Sequence, residues 1–93
     1  MAKKLYGYIT SEMDEFEKIR ERVRAALVEE YGWPEYEATV DAASIAIQLE
    51  IFDYTDDKLI AANRRDFENI GALVLGRSDV DVNKLLLEAY GKA

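Results

Sequence analysis

The sequence predicts an all-α fold: a compact, four-helix bundle-like domain preceded by a short non-helical N-terminal arm. Three observations carry that expectation. Apolar residues recur at spacings of three and four along successive segments, residues with helix-starting and helix-stopping chemistry bracket each segment, and only one short stretch near the start leans towards strand composition. Short turns between the segments favour antiparallel neighbours. The 93 residues suffice for one domain spanning 1–93, and a chain of this size hides roughly 65% of its extended surface on folding.

The arm covers 1–10. Met1-Ala2-Lys3-Lys4 is basic, and Leu5, Tyr6, Tyr8 and Ile9 follow as an apolar patch interrupted by Gly7 and ended by Thr10-Ser11. That patch is shorter than the apolar core of a secretory signal. One strand has no partner within such a chain, so the arm is expected to pack on the helices or to pair with a second copy.

The first helix is expected at about 11–31. Ser11 followed by Asp14 has capping-box spacing, and Glu12, Asp14 and Glu15 suit the positive end of the helix dipole. Met13, Phe16, Ile19 or Arg20, Val23, Ala26, Leu27 and Tyr31 recur at spacings of three or four as the stripe, and Gly32 stands where a left-handed C-terminal cap belongs. Glu17, Lys18, Glu21 and Arg22 read as an outer, solvated face.

The second helix is expected at about 34–52, opened by the only proline, Pro34, at its first turn. Its polar positions Glu37, Asp41, Ser44 and Gln48 line one narrow stripe, and nearly everything else is apolar. A helix on the surface of a monomer needs an apolar stripe only somewhat over 100° wide. This helix must therefore be covered on several sides. The excess implies a homodimer or larger assembly, with Ala38, Ala42, Ile45, Ala46, Leu49 and Phe52 at or near the interface between copies.

Asp53-Tyr54-Thr55 breaks the pattern, and Thr55 followed by Asp56 and Asp57 is a good start for a third helix at about 56–75, closed by Gly76. The run Asn63-Arg64-Arg65-Asp66 interrupts its apolar positions, and Gly71 sits where a neighbouring backbone can come close. Ser78 with Asp81 opens a fourth helix at about 79–90, which runs through Leu85, Leu86, Leu87 and Tyr90 to Gly91.

Charge is unevenly distributed. The 33 residues from Ala25 to Asp57 hold nine carboxylates and no lysine or arginine, whereas the flanks carry ten acids against all twelve bases, so the chain's net charge of −7 arises entirely from the middle third, the flanks being slightly basic. The same third holds the most apolar helix. Such a segment suits a hydrophobic surface for another protein or an acidic face for a basic one. Glu29, Glu30, Trp33, Glu35, Glu37, Asp53, Asp56 and Asp57 are the candidate acidic and aromatic partner-binding surface. Tyr31, Trp33 and Tyr36 bracket Pro34 and read as a turn plug closing the bundle, or as hot-spot material where exposed.

Catalytic chemistry finds little support. With no cysteine and no histidine, disulfides, zinc fingers, iron–sulfur clusters, thiol chemistry and the usual general base are all excluded. Asp79-Val80-Asp81-Val82-Asn83 copies the start of a calcium loop, but Lys84 replaces the required glycine and Tyr90 the bidentate glutamate, so capping explains these acids. Di-iron bundles need a histidine near a glutamate. Glu37 and Asp41, one turn apart, leave a magnesium-dependent enzyme as the weakest reading. Arg20, Arg22, Arg24, Arg64 and Arg65 invite a nucleic-acid reading, which the acidic balance opposes.

The expectation is thus a non-enzymatic, cytoplasmic, acidic protein-interaction or regulatory protein. It is expected to bind a protein partner, to form a homodimer, and to use no cofactor, metal, membrane or direct nucleic-acid contact. The alternative is an acidic nucleic-acid mimic that inhibits a nucleic-acid-binding protein, with carboxylates placed where a basic groove expects phosphates.

Overall fold

The computed structural model describes residues 5–92, so the basic start Met1-Ala2-Lys3-Lys4 and the first part of the expected arm lie outside the described residues. Five helices follow one another: α1 (Glu15–Tyr31), α2 (Glu35–Ile51), α3 (Asp56–Ala61), α4 (Arg64–Leu73) and α5 (Val82–Ala89). No strand occurs among the described residues. The globule is nearly isotropic, 32 × 31 × 29 Å with a radius of gyration of 11.6 Å. The all-α, bundle-like class read from the sequence is the class observed, with five helices in place of four.

Helix α1 is the centre of the packing and touches α2, α3 and α5, while α4 packs on α5. Its apolar stripe delivers Ile19, Val23, Ala26 and Leu27 to the core, where they join Ala38, Ala42, Ile45, Ala46 and Leu49 of α2, Leu59 of α3, Phe67 and Ile70 of α4, and Leu85, Leu86 and Tyr90 at the C-terminal end. The Phe67 and Tyr90 rings stack with centroids 6.1 Å apart. Helix α2 has α1 as its sole helical neighbour.

The end of α1 at Tyr31 and the start of α3 at Asp56 are as expected, and the boundaries that differ do so for reasons of hydrogen-bond chemistry. Helix α1 starts at Glu15 and not at Ser11, because Asp14 makes the reciprocal box: its carboxylate accepts the Glu17 N–H and the Glu17 side chain accepts the Asp14 N–H. Helix α2 ends in a Schellman arrangement in which Tyr54 N–H reaches Leu49 O at 2.9 Å and Asp53 N–H reaches Glu50 O at 3.0 Å. Asp53 occupies its left-handed position at φ 68°.

The expected third helix is two. Ala62 and Asn63 are extended, and Asn63 and Asp66 form a capping box with both bonds at 2.9 Å, so the polar run that interrupts the apolar pattern is the N-terminus of α4. Cap chemistry here overrides periodicity. Helix α4 stops at Leu73, and the Gln48 amide of α2 holds Leu75 beyond it, donating to the Leu75 carbonyl and accepting from its N–H, both at 2.7 Å. Helix α5 starts at Val82 on an Asp81 cap, with 77–80 forming a turn before it.

The arm packs on its own chain. Tyr6 N–H donates to the Ala89 carbonyl at 3.3 Å, Tyr8 N–H donates to the Glu21 carboxylate at 3.0 Å, and the Tyr6 hydroxyl donates to Glu30. Gly7, at φ 85°, lies against the Glu21 backbone, where an added Cβ would stand 3.0 Å from the carbonyl oxygen.

Candidate functional site

The acids of the middle segment are the natural starting point, and the structure gives them different fates. Asp56 is buried and belongs to no surface: Arg22 Nε and Nη2 approach its two oxygens at 3.3 and 3.4 Å, and the Tyr90 hydroxyl donates to it at 2.9 Å. A carboxylate expected at a partner-binding face is instead the anchor of an internal network, and Arg22, expected on the solvated face of α1, is its cation. Arg22 also donates to the Tyr6 carbonyl at 2.8 Å, and Glu15 accepts the Asp56 N–H at 2.8 Å. The network thus ties the arm, α1, α3 and the C-terminal end together. Burial first, then the adjacent Asp56 charge and its hydrogen bond, pushes the Tyr90 hydroxyl well above the ordinary tyrosine range.

Three more acids are engaged by arginines. Glu35 pairs with Arg24 at 3.3 Å, and Arg77 reaches Glu37 at 3.3 Å and Asp41 at 3.6 Å while also binding Asp79 at 3.0 Å. Arg24 further holds Glu21 at 2.9 Å. Burial raises Glu21, but hydrogen bonds from Arg24 and Tyr8 N–H, with the charges of Arg24 and Arg20, outweigh it and hold the carboxyl below its ordinary value. The pair read as a possible magnesium site, Glu37 and Asp41, therefore faces a guanidinium.

The Arg77 guanidinium also lies over the half-buried Trp33 ring, 4.2 Å from its centroid. Trp33 is a turn plug capped by a cation. Glu29, Glu30, Asp53 and Asp57 are exposed, with Glu30 accepting from Tyr6. Of the exposed acids in the set, Glu35 is met by Arg24 of α1 and Glu37 by Arg77 of the turn after α4.

The apolar residues of α2 divide as well. Ala38, Ala42, Ile45, Ala46 and Leu49, expected between two copies, are covered by the chain's own core, and of that set only Phe52, at the helix end, is exposed. Their spacing of four, three, one and three is a single helix face, and α1 fills it. What the sequence reading merged is a second stripe. Tyr36, Val40, Ala43, Ile47 and Ile51 follow at spacings of four, three, four and four on the side of α2 turned away from the core. Four of them are large and open to solvent: Tyr36 81%, Val40 51%, Ile47 49% and Ile51 73%. Separating the helix into two heptad-like stripes, one ending at Leu49 and one at Ile51, was the signal that would have located this face.

The polar stripe Glu37, Asp41, Ser44 and Gln48 runs between the two apolar faces on one side, and Leu75, Gly76 and Arg77 pack alongside it. On the other edge lie Thr39 and Glu50. An exposed apolar stripe four turns long, edged by polar groups, has the composition of a protein-binding surface.

Comparisons of the chain with protein-family models, with curated proteins and with solved structures returned no match. No helix among the described residues is long and apolar enough to cross a membrane.

Proposed function

We propose that this chain is a small non-catalytic interaction protein that self-associates and presents its surface to another protein in a regulatory role. The observation that carries the reading is the outer face of α2. Large aliphatic and aromatic side chains stand in solvent on a well-packed core, and a chain of this size gains nothing in its own stability from leaving them there. The reading as a nucleic-acid mimic draws less support, since mimicry needs free carboxylates and Glu35, Glu37, Asp41 and Asp56 all face arginines.

Light scattering at 50 mM and 500 mM salt tests the proposal. The expected result is the mass of two or more chains at both, because apolar burial is insensitive to screening. A mass that collapses towards one chain at high salt would assign the association to charge, and one chain at both would remove self-association from the account.

A further inference from the structure

The geometry points to a particular mode of self-association, resting on the reading above: two copies pair through the outer faces of α2, antiparallel, about a two-fold axis between Ala43 and Ser44. Tyr36 and Ile51 are equidistant from the point midway between Ala43 and Ser44, and so are Val40 and Ile47. A two-fold interface is self-complementary, each residue meeting its symmetry mate's counterpart. Antiparallel pairing about that point therefore sets Tyr36 over Ile51 of the partner subunit and Val40 over Ile47 of the partner subunit. The smallest side chain of the face, Ala43, lies next to the axis, where two helices cross most closely.

Size and charge agree with a second copy as the occupant. The stripe spans roughly 22 Å at 1.5 Å per residue, and its four open side chains expose on the order of 500 Å². Two such faces together reach the roughly 1,000 Å² that a specific interface needs. Charge does not demand a basic partner, because Glu37 and Asp41 along one edge are already met by Arg77. In the antiparallel arrangement like edges meet, so Glu37 lies towards Gln48 of the partner subunit and Glu50 towards Thr39 of the partner subunit. No carboxylate is pressed on another, and the helix dipoles oppose each other favourably. A parallel pair would crowd two copies of Glu35 and Glu37 at one end.

The absence of native cysteine makes disulfide trapping a direct test, since a bridge needs Cα atoms within about 7 Å. Ala43→Cys should cross-link to itself under mild oxidation, Val40→Cys alone should not, and Val40→Cys mixed with Ile47→Cys should give the mixed disulfide. Circular dichroism of each variant confirms the fold. Self-linking by Val40→Cys with no mixed product would overturn the antiparallel pairing. An absence of cross-links in all three cysteine variants, with a wild-type chain that weighs as a dimer, would overturn the α2 face while leaving self-association intact. A wild-type mass of one chain would overturn both.

Discussion

Arg22 and Asp56, on α1 and α3, form a two-pronged buried ion pair, with Nε to Oδ1 at 3.3 Å and Nη2 to Oδ2 at 3.4 Å. Both side chains are at least nine-tenths covered. Breaking such a pair strands a charge in the core, which costs about 3–5 kcal/mol, whereas replacing both partners with apolar groups of similar volume is often neutral. Asp56→Ala is therefore expected to lower the urea midpoint severely, and Arg22→Met with Asp56→Leu to recover much of the loss. A double variant no more stable than the single would mean that the network contributes more than the avoidance of a stranded charge.

The Tyr90 hydroxyl extends that network into a pH response. Its ionisation is pushed up in the folded state, so the stability it contributes is fully present below the ordinary tyrosine value near 10 and declines as pH rises above that value towards the folded one. Denaturant titrations between about pH 9 and 11 are expected to show falling stability, with a shallower fall in Tyr90→Phe. Equal slopes in the two proteins would remove Tyr90 as the source.

Gly71 marks the contact of α4 with α5. An added Cβ would stand 2.6 Å from the Asn83 Cβ and 2.8 Å from its backbone nitrogen. Glycine to alanine within a helix ordinarily gains up to about 1 kcal/mol, but overpacking against a neighbouring backbone costs about 1–3 kcal/mol. The clash is expected to win, so Gly71→Ala should melt at a lower temperature than wild type.

At the end of α2 the sign reverses. Asp53 holds a left-handed conformation that the equivalent position after α5 gives to Gly91, at φ 69°. Its backbone carbonyl accepts from Lys58, a bond that survives loss of the side chain. Asp53→Gly is expected to stabilise by about 0.5–1 kcal/mol, roughly 3–6 °C in a thermal melt. A decrease would show that the aspartate side chain does more than tolerate the turn.

Arg77 and the single tryptophan provide a spectroscopic handle. Arg77→Ala removes the guanidinium from the Trp33 ring and is expected to shift the Trp33 emission to longer wavelength while leaving the far-ultraviolet dichroism unchanged. Unaltered emission would argue against a persistent stack in solution.

The overall class, the arm and the core face of α1 were legible in the sequence because each rests on local periodicity or on glycine at a helix end. The division of the third helix was harder, since Asn63 and Asp66 act through a capping box that interrupts an apolar rhythm continuing on both sides. Gln48 shows why the end of α4 was out of reach: the group that holds Leu75 comes from 27 residues away. Asp56 was placed on the surface for a similar reason. Its partner Arg22 is distant in sequence and looked like part of a solvated face, and burial of a carboxylate follows from a tertiary pairing that spacing does not encode. In α2 the opposite difficulty arose, because apolar residues nearly all round the helix concealed that one set is covered by α1 and the other is left open.

Sedimentation of wild type beside Ile47→Glu at the same concentration shows whether the outer face of α2 holds two copies together. Ile47 is half exposed and takes no part in the core, so the glutamate leaves folding intact. Wild type is expected to sediment as a dimer of the 10.6 kDa chain and Ile47→Glu as a monomer with unchanged helical dichroism. Indistinguishable masses for the two proteins would contradict the claim.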